Sequence, residues 1–100
     1  MEKVTLKIDN APAIRFTGER VASARSAENL GCWAELALYQ TKRGKYICHS
    51  IMRTIWDGGS DQFDGKTCQT LEEVKEFFGH DRLAKELYSE ASIDDSVEVE

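Results

Sequence analysis

Cys32, Cys48, His49, Cys68 and His80 are the side chains of this chain that could bind a metal or pair as nucleophile and base. Their spacing argues against both roles. Cys48 and His49 are adjacent, and adjacent residues of a strand project to opposite faces, so these two cannot share one ion. No Cys-x-x-Cys or His-x-x-x-His pair is present. Three cysteines make an odd set, which is no disulfide framework and fits reduced, mostly buried thiols. Cys48 and Cys68 are possible strand neighbours, but no serine elbow, oxyanion loop or glycine-rich phosphate loop accompanies them. The acidic run from Asp57 to Asp64 lacks the third-position acid, the sixth-position glycine and the closing glutamate of a calcium loop. Glu73-Val74-Lys75 matches a minimal nuclease triplet, but it falls inside a predicted helix with no catalytic aspartate before it. No catalytic residue, metal or other cofactor is expected, and the chain reads as a binding module, not an enzyme.

Charge is the stronger signal. The net charge of −5 divides unevenly: residues 1–56 carry nine Lys/Arg against five Asp/Glu, and residues 57–100 carry four against thirteen. The carboxylates Asp57, Asp61, Asp64, Glu72, Glu73, Glu76, Glu86 and Glu90 form a candidate surface for a protein partner with a basic face. The competing reading is a solubilising acidic face. Lys42, Arg43 and Lys45, with Tyr46 beside them, form an alternative surface for nucleic acid. Nucleic acid is the less expected partner, because a pI near 5.0 opposes phosphate contacts.

The elements that position these groups follow from periodicity. Val4, Leu6 and Ile8 alternate with polar residues, as in a half-buried strand. Asp9-Asn10-Ala11-Pro12 is turn chemistry. Ile14 and Phe16 resume the alternation and Gly18 interrupts it, which suggests a bulge or bend. Residues 26–31 read as a loop with room for one helical turn. Residues 34–56 read as a long β-hairpin closed by Thr41-Lys42-Arg43-Gly44, with Gly44 at positive φ. Ala34, Leu36 and Leu38 share one face of the first strand and Glu35, Ala37 and Tyr39 the other; on the return strand Ile47, Ile51 and Ile55 share one face with His49 and Arg53, and Tyr46, Cys48, Met52 and Trp56 take the other. Both faces carry large apolar groups, so one packs on helices and the other is partly covered or open to a partner. A fifth strand is expected over 62–68. Thr70-Leu71-Glu72-Glu73 is a capping box, Leu71, Val74 and Phe78 form a helical stripe, and Gly79 ends that helix. Asp81 caps a second helix built on Leu83, Leu87 and Ala91, with Asp81–Lys85 and Arg82–Glu86 as supporting pairs.

The expected fold is therefore α+β: a twisted antiparallel meander of about five strands followed by two short C-terminal helices on one face. It forms a single domain over residues 1–92, with an acidic tail over 93–100. No apolar run approaches the roughly 20 residues of a membrane span, and the alternating N-terminus is no signal peptide, so a cytoplasmic location without membrane contact is expected. An exposed strand edge leaves a homodimer open.

The run Trp33-Ala-Glu-Leu-Ala-Leu-Tyr-Gln-Thr-Lys-Arg-Gly-Lys-Tyr-Ile-Cys-His49, together with Thr70–His80 and Leu83–Tyr88, resembles small uncharacterised proteins of bacterial plasmids and other mobile elements. The resemblance covers about half of the chain and brings no established activity or site residues. It implies a mobile-element setting, in which small acidic proteins often inhibit host defence, as anti-CRISPR proteins do, or regulate transfer. The reading that follows is a non-enzymatic interaction protein, an inhibitor of a CRISPR-type defence complex acting through its acidic surface. The alternative is a nucleic-acid-binding regulator using the hairpin tip.

Overall fold

The structure is a computed structural model that describes residues 1–56 and 59–94. Its strands are β1 (Glu2–Leu6), β2 (Ile14–Arg25), β3 (Cys32–Thr41), β4 (Tyr46–Thr54) and β5 (Gln62–Cys68). Two helices follow, α1 (Leu71–Phe78) and α2 (Arg82–Glu90). The strands form one antiparallel sheet in the order β1-β2-β3-β4-β5, the meander expected from the alternation.

The turns explain the order. At the β3–β4 tip, the Thr41 amide donates to the Lys45 carbonyl and the Gly44 amide to the Thr41 carbonyl, with Gly44 at φ 85°. The Lys45 amide donates to Thr41 Oγ1, which locks the turn. The β2–β3 connection has no helical turn. Asn29 and Cys32 exchange backbone hydrogen bonds around Leu30 and Gly31, at φ 53° and 79°, as a two-residue tight turn.

Gly18 does not mark the bulge. It lies inside the continuous strand β2, where an added Cβ would stand 2.3 Å from the Gln40 carbonyl oxygen. The glycine therefore permits close approach of β2 and β3. The bulge falls three residues later, between Arg20 and Ala22, where the register against β3 shifts.

The helices cover the face that carries Ala22, Leu38, Cys48 and Cys68, and these form one core with Val74, Ala84, Leu87 and Tyr88. Thr70 accepts from the Glu73 amide and Glu73 accepts from the Thr70 amide, completing the capping box. Asp81 accepts from the Ala84 amide at 2.8 Å and so caps α2. Tyr88 is buried, and its hydroxyl donates to the Gly79 carbonyl at 2.6 Å, tying α2 to the end of α1. Ile93 donates its amide to the Tyr88 carbonyl and packs against this core, so the domain continues through it. Residues 95–100 of the expected tail lie outside the described residues.

The opposite face is concave. After β1 the chain crosses toward β5: the Asp9 amide donates to the Phe63 carbonyl, and the Phe63 amide donates back to the Asp9 carboxylate, both at 2.9 Å. This contact curls the meander on itself. It buries Leu6 and Ile47 on the side away from the helices. Lys7 lies over the Phe63 ring, 4.9 Å from its centroid. Apolar residues on both faces of the sheet thus have separate partners, the helices on one side and the curled-in β1 end on the other.

Candidate functional site

Cys48, Cys68 and His49 are committed to the fold, whereas Cys32 is a half-buried free thiol and His80 is exposed. Cys48 and Cys68 are fully buried on the helix side, with Sγ atoms 3.6 Å apart. Burial, reinforced by the neighbouring Cys68, pushes the Cys48 thiol well above the usual thiol range, so it is held protonated and is no nucleophile at neutral pH. His49 projects from the same strand to the concave side, as alternation requires, and is 6% exposed. Its Nε2 lies 2.9 Å from the Lys7 carbonyl oxygen. A carbonyl only accepts, so Nε2 carries the proton and donates. His49 also stacks with Phe63, ring centroids 6.2 Å apart. Among the described residues no group of three or more His, Cys, Asp or Glu is placed to hold a metal ion. No described helix is long and apolar enough to cross a membrane.

The acidic residues divide into two kinds. Glu72 and Glu76 on α1, with Glu86 on α2, are exposed. Glu86 makes a long contact to Arg82, 3.8 Å. The others hold local structure. Asp61 accepts from Arg53 at 3.0 Å and from the Thr54 amide at 3.1 Å. Asp64 accepts from the Gly65 amide. Glu73 accepts from the Gln69 and Thr70 amides, which lowers its carboxyl below the ordinary value. Glu90 accepts from the Ser23 amide at 3.2 Å, joining α2 to β2. Asp57 lies outside the described residues. Backbone amides thus engage Asp61, Asp64, Glu73 and Glu90, of which Asp64 and Glu90 are also exposed, and among the described residues Glu72, Glu76 and Glu86 stand apart from such contacts.

The hairpin tip also divides. Lys42, Arg43 and Lys45 are exposed, bordering an open groove with Phe16 and Thr17. Tyr46 is half-buried and packs against the helix-side core, so it does not join the basic tip. The period-two alternation already sets Tyr46 on the face of Cys48, and that face is the one the helices cover.

A second assembly was not evident in the sequence. Arg20, Arg25, Glu35, Tyr39, His49 and Arg53 line a groove of about 450 Å³ on the concave face. The bulge creates it. In an unbroken strand Arg20 and Arg25, five positions apart, would point to opposite faces. The register shift pairs Arg20 with Tyr39, Ser23 with Ala37 and Arg25 with Glu35, all on one face of β3. Glu35 organises the floor of the groove. Its Oε2 accepts from Trp33 Nε1 at 2.8 Å and from Arg53 Nε at 2.7 Å. The Trp33 hydrogen bond, then Arg53, holds its carboxyl below the ordinary range against the opposing effect of burial. The Arg25 guanidinium sits 4.8 Å from the centroid of the Trp33 ring. Phe16 meets Tyr39 edge-on, centroids 5.5 Å apart. A sequence reading finds such a groove only if it locates the bulge, and β2 carries no local signal for it at Val21.

No protein-family model matches the chain, and no curated protein or solved structure is significantly similar to it.

Proposed function

We propose that this is a non-enzymatic interaction protein of a mobile element, an inhibitor that occupies the basic surface of a CRISPR-type defence complex with its helical layer. The observation that supports this reading is the exposure of Glu72, Glu76 and Glu86 on two consecutive helices, while Cys48, Cys68, His49, Asp61, Asp64, Glu73 and Glu90 are engaged within the fold. Carboxylates on a rigid helical layer present negative charge to rows of Lys and Arg as phosphates do. The capping box fixes the direction of α1, and the Tyr88–Gly79 bond fixes α2 against it.

The test is an interference assay in bacteria carrying an active CRISPR-type complex and a targeted plasmid. Expression of the protein rescues the plasmid, and the triple variant Glu72→Lys, Glu76→Lys, Glu86→Lys loses the rescue while keeping its circular dichroism spectrum. Equal rescue by the triple variant rejects the reading. The exposed tip residues Lys42, Arg43 and Lys45 favour a second reading, a nucleic-acid-binding regulator. Under it the variant Lys42→Ala, Arg43→Ala loses a salt-sensitive mobility shift that the triple glutamate variant keeps.

A further inference from the structure

We infer that the concave face of the sheet binds single-stranded nucleic acid, with Arg20 and Arg25 on its phosphates and the Tyr39 and Trp33 rings against its bases. Four observations carry this. The bulge between Arg20 and Ala22 turns both arginines to the face that Tyr39 and Glu35 occupy. Arg20 and Arg25 are both exposed, and the Arg53 guanidinium is bound by Glu35 and Asp61, so Arg20, with Arg25 from its place over Trp33 and opposite Glu35, supplies the cations that can turn to a phosphate. The rings of Trp33 and Tyr39 are half-buried and held in place, Trp33 by Glu35 and Arg25 and Tyr39 by Phe16, so little ordering is left for binding to impose. β3 carries Trp33 near one end and Tyr39 near the other, both on the face of Glu35. That path runs about 20 Å at the usual strand rise.

Fixed rings interleaved with arginines on an open sheet face suit a strand whose bases are free to stack, since each base contributes a π-face regardless of sequence. A duplex hides those faces. The acidic composition does not oppose this binding as it would on an unstructured chain. The exposed Glu72, Glu76 and Glu86 sit on the helix layer across the sheet from the groove, where about 10 Å of separation is already a Debye length at 0.1 M salt, while Glu90 is taken up by the Ser23 amide. The inference does not rest on the helical surface proposed above or on the hairpin tip.

The experiment is fluorescence anisotropy of a labelled oligo(dT) of about 15 nucleotides, titrated with the full chain at about 50 mM and about 200 mM salt. Binding is expected at the lower salt, weakening about sevenfold at the higher. Arg20→Ala with Arg25→Ala lowers the slope of log affinity against log salt by about 1.4, two contacts at about 0.7 each for a single strand. Tyr39→Ala weakens binding about tenfold. In a Trp56→Phe background, the fluorescence of Trp33 is quenched as the oligonucleotide saturates. The arginines are exposed, so their removal leaves the fold intact, which circular dichroism confirms. Four results would each overturn the inference: no binding at the lower salt, affinity unchanged in the double arginine variant, tighter binding of a duplex of equal length, or displacement of the oligonucleotide by an equal concentration of polyglutamate. Lys42→Ala with Arg43→Ala separates this site from the tip, since it leaves the quenching of Trp33 in place.

Discussion

Cys48 Sγ and Cys68 Sγ lie 3.6 Å apart inside the helix-side core, both fully buried, on the adjacent strands β4 and β5. Both side chains are closed off from solvent, so neither sulfur is offered to a reagent in the folded state. A maleimide is therefore expected to label only Cys32 in native protein and all three cysteines in urea, read by intact mass. Rapid native labelling of three sites would show that this core opens.

The same burial predicts alkaline sensitivity. Cys48 has a folded pKa above its unfolded value, near 9.0. The unfolded chain then loses the proton first, so stability is fully present below about pH 9 and declines above it, by at most about 1.4 kcal/mol per pH unit. Urea midpoints at rising pH check this, and Cys48→Ala should flatten the decline while lowering stability at neutral pH.

Glu35 works in the acidic direction. Its lowered pKa, from the Trp33 hydrogen bond and then Arg53, stabilises the fold above the ordinary value of 4.5, and that contribution is lost as the pH falls through the folded pKa. The site is about one-third exposed, so solvent screening holds the contribution to about 1 kcal/mol or less. Glu35→Gln is expected to show a shallower loss of stability between pH 5 and 3, measured by thermal melts in matched buffers. A decline as steep as in the parent protein would place the acid sensitivity elsewhere.

Gly18 and Gly44 should respond differently to alanine. At Gly18 a Cβ would meet the Gln40 carbonyl at 2.3 Å and Thr41 Cα at 2.9 Å, backbone atoms that cannot turn aside. At Gly44 nothing lies within 4 Å, and only the φ of 85° is unfavourable. Gly18→Ala is expected to cost about 2–3 kcal/mol and Gly44→Ala about 1 kcal/mol. Denaturant unfolding gives the order, and equal costs would mean that β2 and β3 separate easily.

The helix caps determine how the acidic surface can be tested. Thr70→Ala removes the hydroxyl that accepts from the Glu73 amide and should cost about 1 kcal/mol. Glu73→Lys breaks the reciprocal half of the same box, whereas Glu72→Lys, one residue away and exposed, leaves it whole. Thermal melts should therefore separate these two charge reversals. Identical melts would show that the Glu73 contacts contribute nothing to α1.

Alternation and capping are local properties, which is why so much of this fold was legible in the chain. The period-two residues around Leu36 and Ile47 predict the β3–β4 hairpin, found over Cys32–Thr54 instead of 34–56. The fifth strand occurs over Gln62–Cys68, and Thr70, Gly79 and Asp81 punctuate the helices as their side chains and φ angles dictate. The predicted Arg82–Glu86 contact occurs at 3.8 Å, while Asp81 serves the Ala84 amide as a cap. What tertiary structure alone decided is how these elements meet. Which carboxylates remain free depends on which amides lie beside them, as Glu73 and Asp61 show. The burial of Tyr46 depends on where the helices settle. The placement of Arg20 and Arg25 on one face depends on a single extra residue at Val21, set by how β2 pairs with β3 and not by the identity of any one side chain.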